Sequence, residues 1–358
     1  MQHFQTSFFY NLQELIRNAP LMRKYYYIFK SLNLSALQDR NDSLGRTGHS
    51  RHAILRAFII KHLEGIKSVP QLIKYLDSIP PLAEMCGFDL GALPDETQFY
   101  RFLKNTKNSI LKALHKTAND LLIEEGLISL DEFMLDSKPI QAATKENLHT
   151  FTDVALPVSR LRERITAFIH GFTTVAFCKG VGVNNFKNPN RNTTNKSKKP
   201  KHNPRATLSY YSCQVINGKK QNMIFFWGFR THAVVTKEGI CLVEKTLPNP
   251  SFNTGKCYGC TKYLDVTDDA RSRVPRDSKE SKDTFKNRQT IEQYFSRLGD
   301  REAEQTTHYG FTAISNQMTI AHLTASLIAV TAGVLLKQPE KMRCYRTFAD
   351  PPDLRKTG

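Results

Sequence analysis

Two acidic side chains sit in settings that suit chemistry. The first is Glu292, within Phe285 to Gly299 (FKNRQTIEQYFSRLG). At about 3.6 residues per turn, Phe285, Arg288, Glu292 and Gly299 fall on one stripe beside the apolar positions Ile291, Tyr294, Phe295 and Leu298. A helix built this way buries one face and presents a carboxylate, here with Arg288 as its i, i+4 neighbour. An amphipathic surface helix with an ordinary Arg/Glu pair is the plain alternative. The second acid is Asp136, within Ile128 to Ile140 (ISLDEFMLDSKPI), where alternation predicts a strand over 129–136 that delivers the aspartate before a Ser-Lys-Pro turn. Pro139 is expected to end that strand, and Asp131 is a rival acid near its start. Taken alone, an aspartate at a strand end more often serves a turn or cap.

The segment from Phe285 to Gly299 resembles the signature of bacterial insertion-sequence transposases of the DDE class, which reads Tyr, two residues, Arg, three residues, Glu, six residues, Lys. Arg288 and Glu292 match as they stand, whereas Phe285 occupies the tyrosine position and Gly299 the lysine position. Asp136 matches the family's first catalytic aspartate, which ends the first strand of a ribonuclease-H-like sheet. The resemblance implies an α/β (α+β) fold in which Asp136 and Glu292 are catalytic and bind Mg²⁺ or Mn²⁺, while Arg288 contacts transposon-end DNA. Phosphodiester cleavage and strand transfer of this kind use two divalent ions, and Mg²⁺ prefers hard carboxylate oxygens.

The family carries a third carboxylate on a later strand, between the first aspartate and the glutamate. Here Leu247-Pro248-Asn249-Pro250 runs directly into SFNTGKCYGC, and no apolar strand followed by a helix is legible from Pro248 to Thr284. The chain reads as internally shortened near 248–251. Asp265, Asp268 and Asp269, in YLDVTDDARSR, lack a supporting strand and are read as solvated. A copy without one of three metal ligands is expected to be defective in cleavage even where its DNA-binding surface survives. The alternative function is an inactive DNA-binding derivative that interferes with or regulates an intact relative.

Charge agrees with a nucleic-acid partner: 51 Lys and Arg against 33 Asp and Glu give a formal charge of +18. The expected partner is double-stranded DNA, both transposon ends and target, with a homo-dimer or a mixed oligomer with an intact relative. Basic residues concentrate in 181–205, with Lys187, Arg191, Lys196, Lys198, Lys199, Lys201 and Arg205 and no acid among them. That tract is read as a solvated loop that orders on DNA.

Residues 1–125 read as a helical N-terminal DNA-binding domain, and from roughly His49 to Asn105 they resemble the N-terminal domain of the same transposases. Helical spacing predicts helices over 51–65, 69–76 and 109–125. Asp95 and Gln98 stand at capping-box spacing ahead of the inward positions Phe99, Phe102 and Leu103. Gln98, Arg101 and Lys104 then face outward, as a recognition helix against DNA or as an unengaged polar face.

Residues 126–338 are read as the catalytic domain, with strands at 129–136, 209–216, 223–235 and 239–247, an Asn217-Gly218 hairpin turn and a Lys237-Glu238-Gly239 turn. Residues 339–358 form a basic tail. The helix over 311–336 carries too many polar residues for a membrane span and is read as a buried core helix. Seven scattered cysteines predict a reduced, cytoplasmic protein, and the resemblance implies association with the bacterial nucleoid. Cys257 and Cys260 have ligand spacing in GKCYGC, but half a site favours two free thiols over Zn²⁺.

Overall fold

The computed structural model describes residues 12–39, 48–89, 91–143, 203, 205–216, 219–248, 279–303 and 306–343. Among the described residues seven helices come first: α1 (Leu12–Asn18), α2 (Pro20–Lys30), α3 (Arg51–Leu63), α4 (Val69–Ser78), α5 (Pro80–Cys86), α6 (Glu96–Asn105) and α7 (Asn108–Glu124). Four described strands follow: β1 (Phe133–Gln141), β2 (Thr207–Ile216), β3 (Lys219–Thr236) and β4 (Cys241–Pro248). Two long helices, α8 (Lys279–Asp300) and α9 (Phe311–Val330), end the fold, with a π-helical turn at Thr331–Leu335 and a short 3₁₀ turn at Pro339–Lys341. Helices and an antiparallel sheet make the class α+β.

Local chemistry accounts for the helix starts. Ser50 accepts from the Ala53 amide, and Asp95 from the Gln98 amide at 3.1 Å. At α4, Ser68 and Gln71 bond each other's backbone in a full capping box, which the sequence reading passed over. Within α6, Phe99, Phe102 and Leu103 point inward as their spacing requires.

The sheet is built on β3, with which the other three strands all pair antiparallel. The strand expected over 129–136 is displaced: it begins at Phe133 and runs through Pro139 to Gln141. Pro139 therefore does not end it, and Asp136 lies inside the strand, opposite Ala233, instead of at its end. Among the described residues β1 pairs on one side only, and an edge strand tolerates a residue with no N–H to give. The turn at Lys237-Glu238-Gly239 is present, whereas Asn217 and Gly218 lie outside the described residues.

One sheet face is covered. Ile140, Phe229, Ala233, Val235 and Cys241 pack against Ile291, Tyr294, Phe295 and Leu298 of α8 and against Ile314, Met318 and Ala321 of α9. The other flank of α9 belongs to a second core, where Ile320, Leu323, Leu327 and Ile328 meet Phe58, Phe99, Phe102 and Leu114. Phe311–Leu335 is long and apolar enough to cross a membrane by composition alone, but 83% of its apolar window is buried inside the protein. A helix enclosed on all sides reads as apolar throughout.

Enclosure obliges the polar residues of α9 to find partners. Asn316 Nδ2 donates to the carbonyls of Leu103 and Thr106, both at 2.7 Å, and its Oδ1 accepts from Asn108 Nδ2 at 2.9 Å. Thr319 donates to Glu244 Oε1 at 2.6 Å, and Ser326 to Asn119 Oδ1 at 2.8 Å. One stripe of α9 thus holds the end of α6, the start of α7 and strand β4. Replacing Asn316 by Ala strands two buried carbonyls, and unfolding free energy from urea melts should fall by about 2–4 kcal/mol.

Candidate functional site

Alternation along β1 sorts its side chains onto two faces, with Met134, Asp136, Lys138 and Ile140 sharing the covered one. Met134 and Ile140 pack against the core under α8, and Lys138 Nζ donates to the Phe295 carbonyl of α8 at 3.1 Å. Asp136 stands between them on the same face, yet its side chain remains exposed, with Oδ1 accepting the Ser137 amide at 2.7 Å. Glu292 lies on α8 one turn before Phe295, also exposed, and is flanked by the buried Ile291. The two acids sit on elements packed directly on each other, and Lys138 ties those elements one turn from Glu292. Sequence reasoning saw Lys138 only as part of a turn; the signal was its i+2 spacing from Asp136 on a strand that continues.

Ile291, Tyr294, Phe295 and Leu298 are all buried, as their spacing predicts. Phe285 and Arg288 fall on α8, but their side chains lie outside the described residues. The same is true of Lys187, Arg191, Lys196, Lys198, Lys199, Lys201, Cys257, Cys260, Asp265, Asp268 and Asp269. Arg205 is described and exposed, its guanidinium 5.6 Å from the centre of the Phe311 ring. On α6, Arg101 and Lys104 are exposed and Gln98 is half-buried.

Hard carboxylate oxygens at Asp136 and Glu292 suit a divalent cation in type. In number they fall short of a three-ligand centre. Among the described residues no three His, Cys, Asp or Glu side chains converge to hold a metal. Glu244 is the acid closest in register, because Asp136, Ala233 and Glu244 form one cross-strand row. Two strand spacings, about 9.6 Å, separate the ends of that row. Glu244 is 3% exposed, and its carboxylate is engaged by Thr319, with Lys112 Nζ at 3.7 Å. Desolvation raises the Glu244 pKa, with Thr319 and Lys112 opposing. It is a core residue facing α9.

Residues 9–105 match the family model described as Transposase domain (DUF772). The match supports a transposase family for this chain. Helices α1 to α6 lie inside the matched segment, which ends where α6 ends. The matched segment includes the face bearing Gln98, Arg101 and Lys104 and reaches further toward the N-terminus than the resemblance read from His49. No curated protein and no solved structure matches the chain.

His115, His308 and His322 are buried in the core. Tyr294 Oη meets His322 Nδ1 at 2.5 Å, and Thr231 Oγ1 lies 3.5 Å from His322 Nε2. His115 Nε2 lies 3.1 Å from Ser326 Oγ, and His308 sits edge-on to Phe58 and Tyr100. Desolvation pushes His115 down to about 4, His308 to about 3 and His322 well below its ordinary value. All three lie below the usual imidazole value, so the stability they confer is complete above about pH 6.5 and is lost as pH falls toward the folded-state values. Urea midpoints should therefore drop from pH 6.5 to pH 4. His308→Phe should lessen the drop by about 2 kcal/mol between pH 6.5 and pH 5, since one and a half units are worth about 1.4 kcal/mol each.

Proposed function

We propose that this chain is a DDE-type transposase of an insertion sequence whose cleavage activity is impaired by loss of one metal ligand, and whose DNA-binding parts are retained. The single observation that carries the reading is the transposase-domain match over residues 9–105. Support for the class comes from Asp136 and Glu292, two exposed carboxylates on β1 and α8, elements that pack together at Lys138 and Phe295. A divalent cation bound by these two would activate the attacking oxygen and offset charge on the scissile phosphate. The chain's own part is to hold the carboxylates on one rigid face, with Lys138 locking strand to helix.

DNA engagement divides into three roles. Gln98 and Arg101 read base edges and Lys104 meets phosphate, because α6 offers an exposed polar face beside a buried aromatic one. Arg288, Arg205 and the basic tract from Lys187 to Lys201 supply sequence-independent attraction from a chain of formal charge +18. Pairing with a second copy or an intact relative is favoured by a β1 edge that no described strand covers, and by Leu135, 73% exposed on that strand. Such pairing provides the second reading, in which an inactive derivative interferes with an intact transposase. The place of action is the cytoplasm, on the nucleoid.

The test is a duplex carrying the element's own terminal repeats, with Mg²⁺ or Mn²⁺, scoring binding and nicking together. The expected outcome is salt-sensitive binding, with nicking at least about a hundredfold below that of an intact relative. Nicking at the relative's rate, abolished by Glu292→Ala, would show that another carboxylate completes the centre. Arg101→Ala should weaken binding and relax sequence preference, by about 1–3 kcal/mol if the side chain reaches a base.

A further inference from the structure

We propose that the pocket between the β3–β4 turn and the end of α8 binds a phosphate-type oxyanion through Arg297, Arg301 and Arg343. Its walls are formed by Gly239, Cys241, Tyr294 and the three arginines, together with the adjoining apolar residues, and no carboxylate lines it among the described residues. Three guanidinium groups meet there from two separate parts of the chain. Arg297 Nη2 donates to the Gly239 carbonyl at 3.1 Å, while Arg343 donates from Nε to Glu238 O at 2.5 Å and from Nη2 to Lys237 O at 3.1 Å. These bonds aim two of the forks without neutralising them.

Arg301 supplies the independent observation. It is 9% exposed and lines the pocket, and its Nη1 is buried with no hydrogen-bond partner among the described residues. A buried guanidinium donor left unpaired is costly, and a phosphate oxygen supplies both the lone pair and the charge that would satisfy it. Burial lowers Arg301 to about 10, with Tyr294 and Asp300 opposing and Arg297 adding to the fall, so the group is charged at neutral pH. Gly239 completes the wall with φ +78°, and a Cβ there would meet Arg343 Nε at 3.0 Å and Arg297 Nη2 at 3.3 Å. The positive φ favours glycine at this turn, and a side chain there would press on the two guanidinium groups.

One oxyanion chemistry has two sources here, a phosphodiester of DNA or free phosphate. Arg297 is five residues beyond Glu292, about 7.5 Å along the helix axis and about 140° around it, so a phosphodiester in the pocket would be a different one from that addressed by the acids. The DNA source rests on the transposase reading, whereas the free-phosphate source does not.

The full chain, Arg343→Gln and Arg343→Lys are titrated calorimetrically with inorganic phosphate at fixed ionic strength, and each binds duplex DNA over a range of salt. Phosphate affinity should fall about tenfold in Arg343→Gln, and less in Arg343→Lys, which retains the charge. A DNA phosphodiester is the occupant if Arg343→Gln also lowers the slope of log K against log salt by about 0.9, and free phosphate is the occupant if the slope is unchanged. The proposal is overturned if neither phosphate affinity nor slope responds. Should Arg343→Gln melt non-cooperatively, Arg343→Lys carries the comparison, with a smaller loss expected and no change overturning it. None of these readouts needs cleavage, so absent nicking leaves the result intact.

Discussion

Helix α9 is buried on every side while carrying Asn316, Thr319, His322 and Ser326 along one stripe, and the rest of the structure is arranged to satisfy those groups. Asn316 takes the last carbonyls of α6, Thr319 takes Glu244 on β4, His322 takes Tyr294 on α8, and Ser326 takes Asn119 on α7. Apolar burial alone would let these elements slide, since it is non-directional. Hydrogen bonds inside a low-dielectric core fix register, because each one lost leaves an unsolvated partner. The consequence for function is geometric: the α6 face bearing Arg101 and the α8 face bearing Glu292 are both held to one rod.

Much of this was legible in the chain. The stripe Ile291, Tyr294, Phe295, Leu298 gave the buried face of α8, and Phe99, Phe102 and Leu103 that of α6, because helical spacing records burial directly. The extent of β1 was not legible. Proline after Asp136 signals a strand end, and only the pairing of β1 on a single side shows why Pro139 is tolerated. Lys138 was hidden by the same error, since a lysine in a turn means little and one on a covered face means a contact. Glu244 gave no signal either, because a lone acid in ICLVEKTLP reveals its burial only once Thr319 arrives from 75 residues away.

Under the proposed function the parts of the site divide into metal-facing acids and DNA-facing charge. A match confined to residues 9–105 supports the helical end, which bears the exposed polar face of α6. The sheet end has two exposed carboxylates on packed elements, and among the described residues no three His, Cys, Asp or Glu side chains converge to hold a metal. Positive charge is not spread evenly: Arg297 near the end of α8, Arg301 just past it and Arg343 near the C-terminal end of the described chain gather at the β3–β4 turn. Electrostatic attraction and metal ligation are separable, so a chain can lose part of the second and keep the first.

The central claim is that Asp136 and Glu292 act as one centre. Calorimetric binding of Mn²⁺ to the full chain, to Asp136→Asn, to Glu292→Gln and to the double variant tests it most directly. One shared centre predicts that each single substitution removes the same binding event and that the double variant loses no more. Wild-type Mn²⁺ affinity in both single variants would contradict the account, as would two losses that simply add.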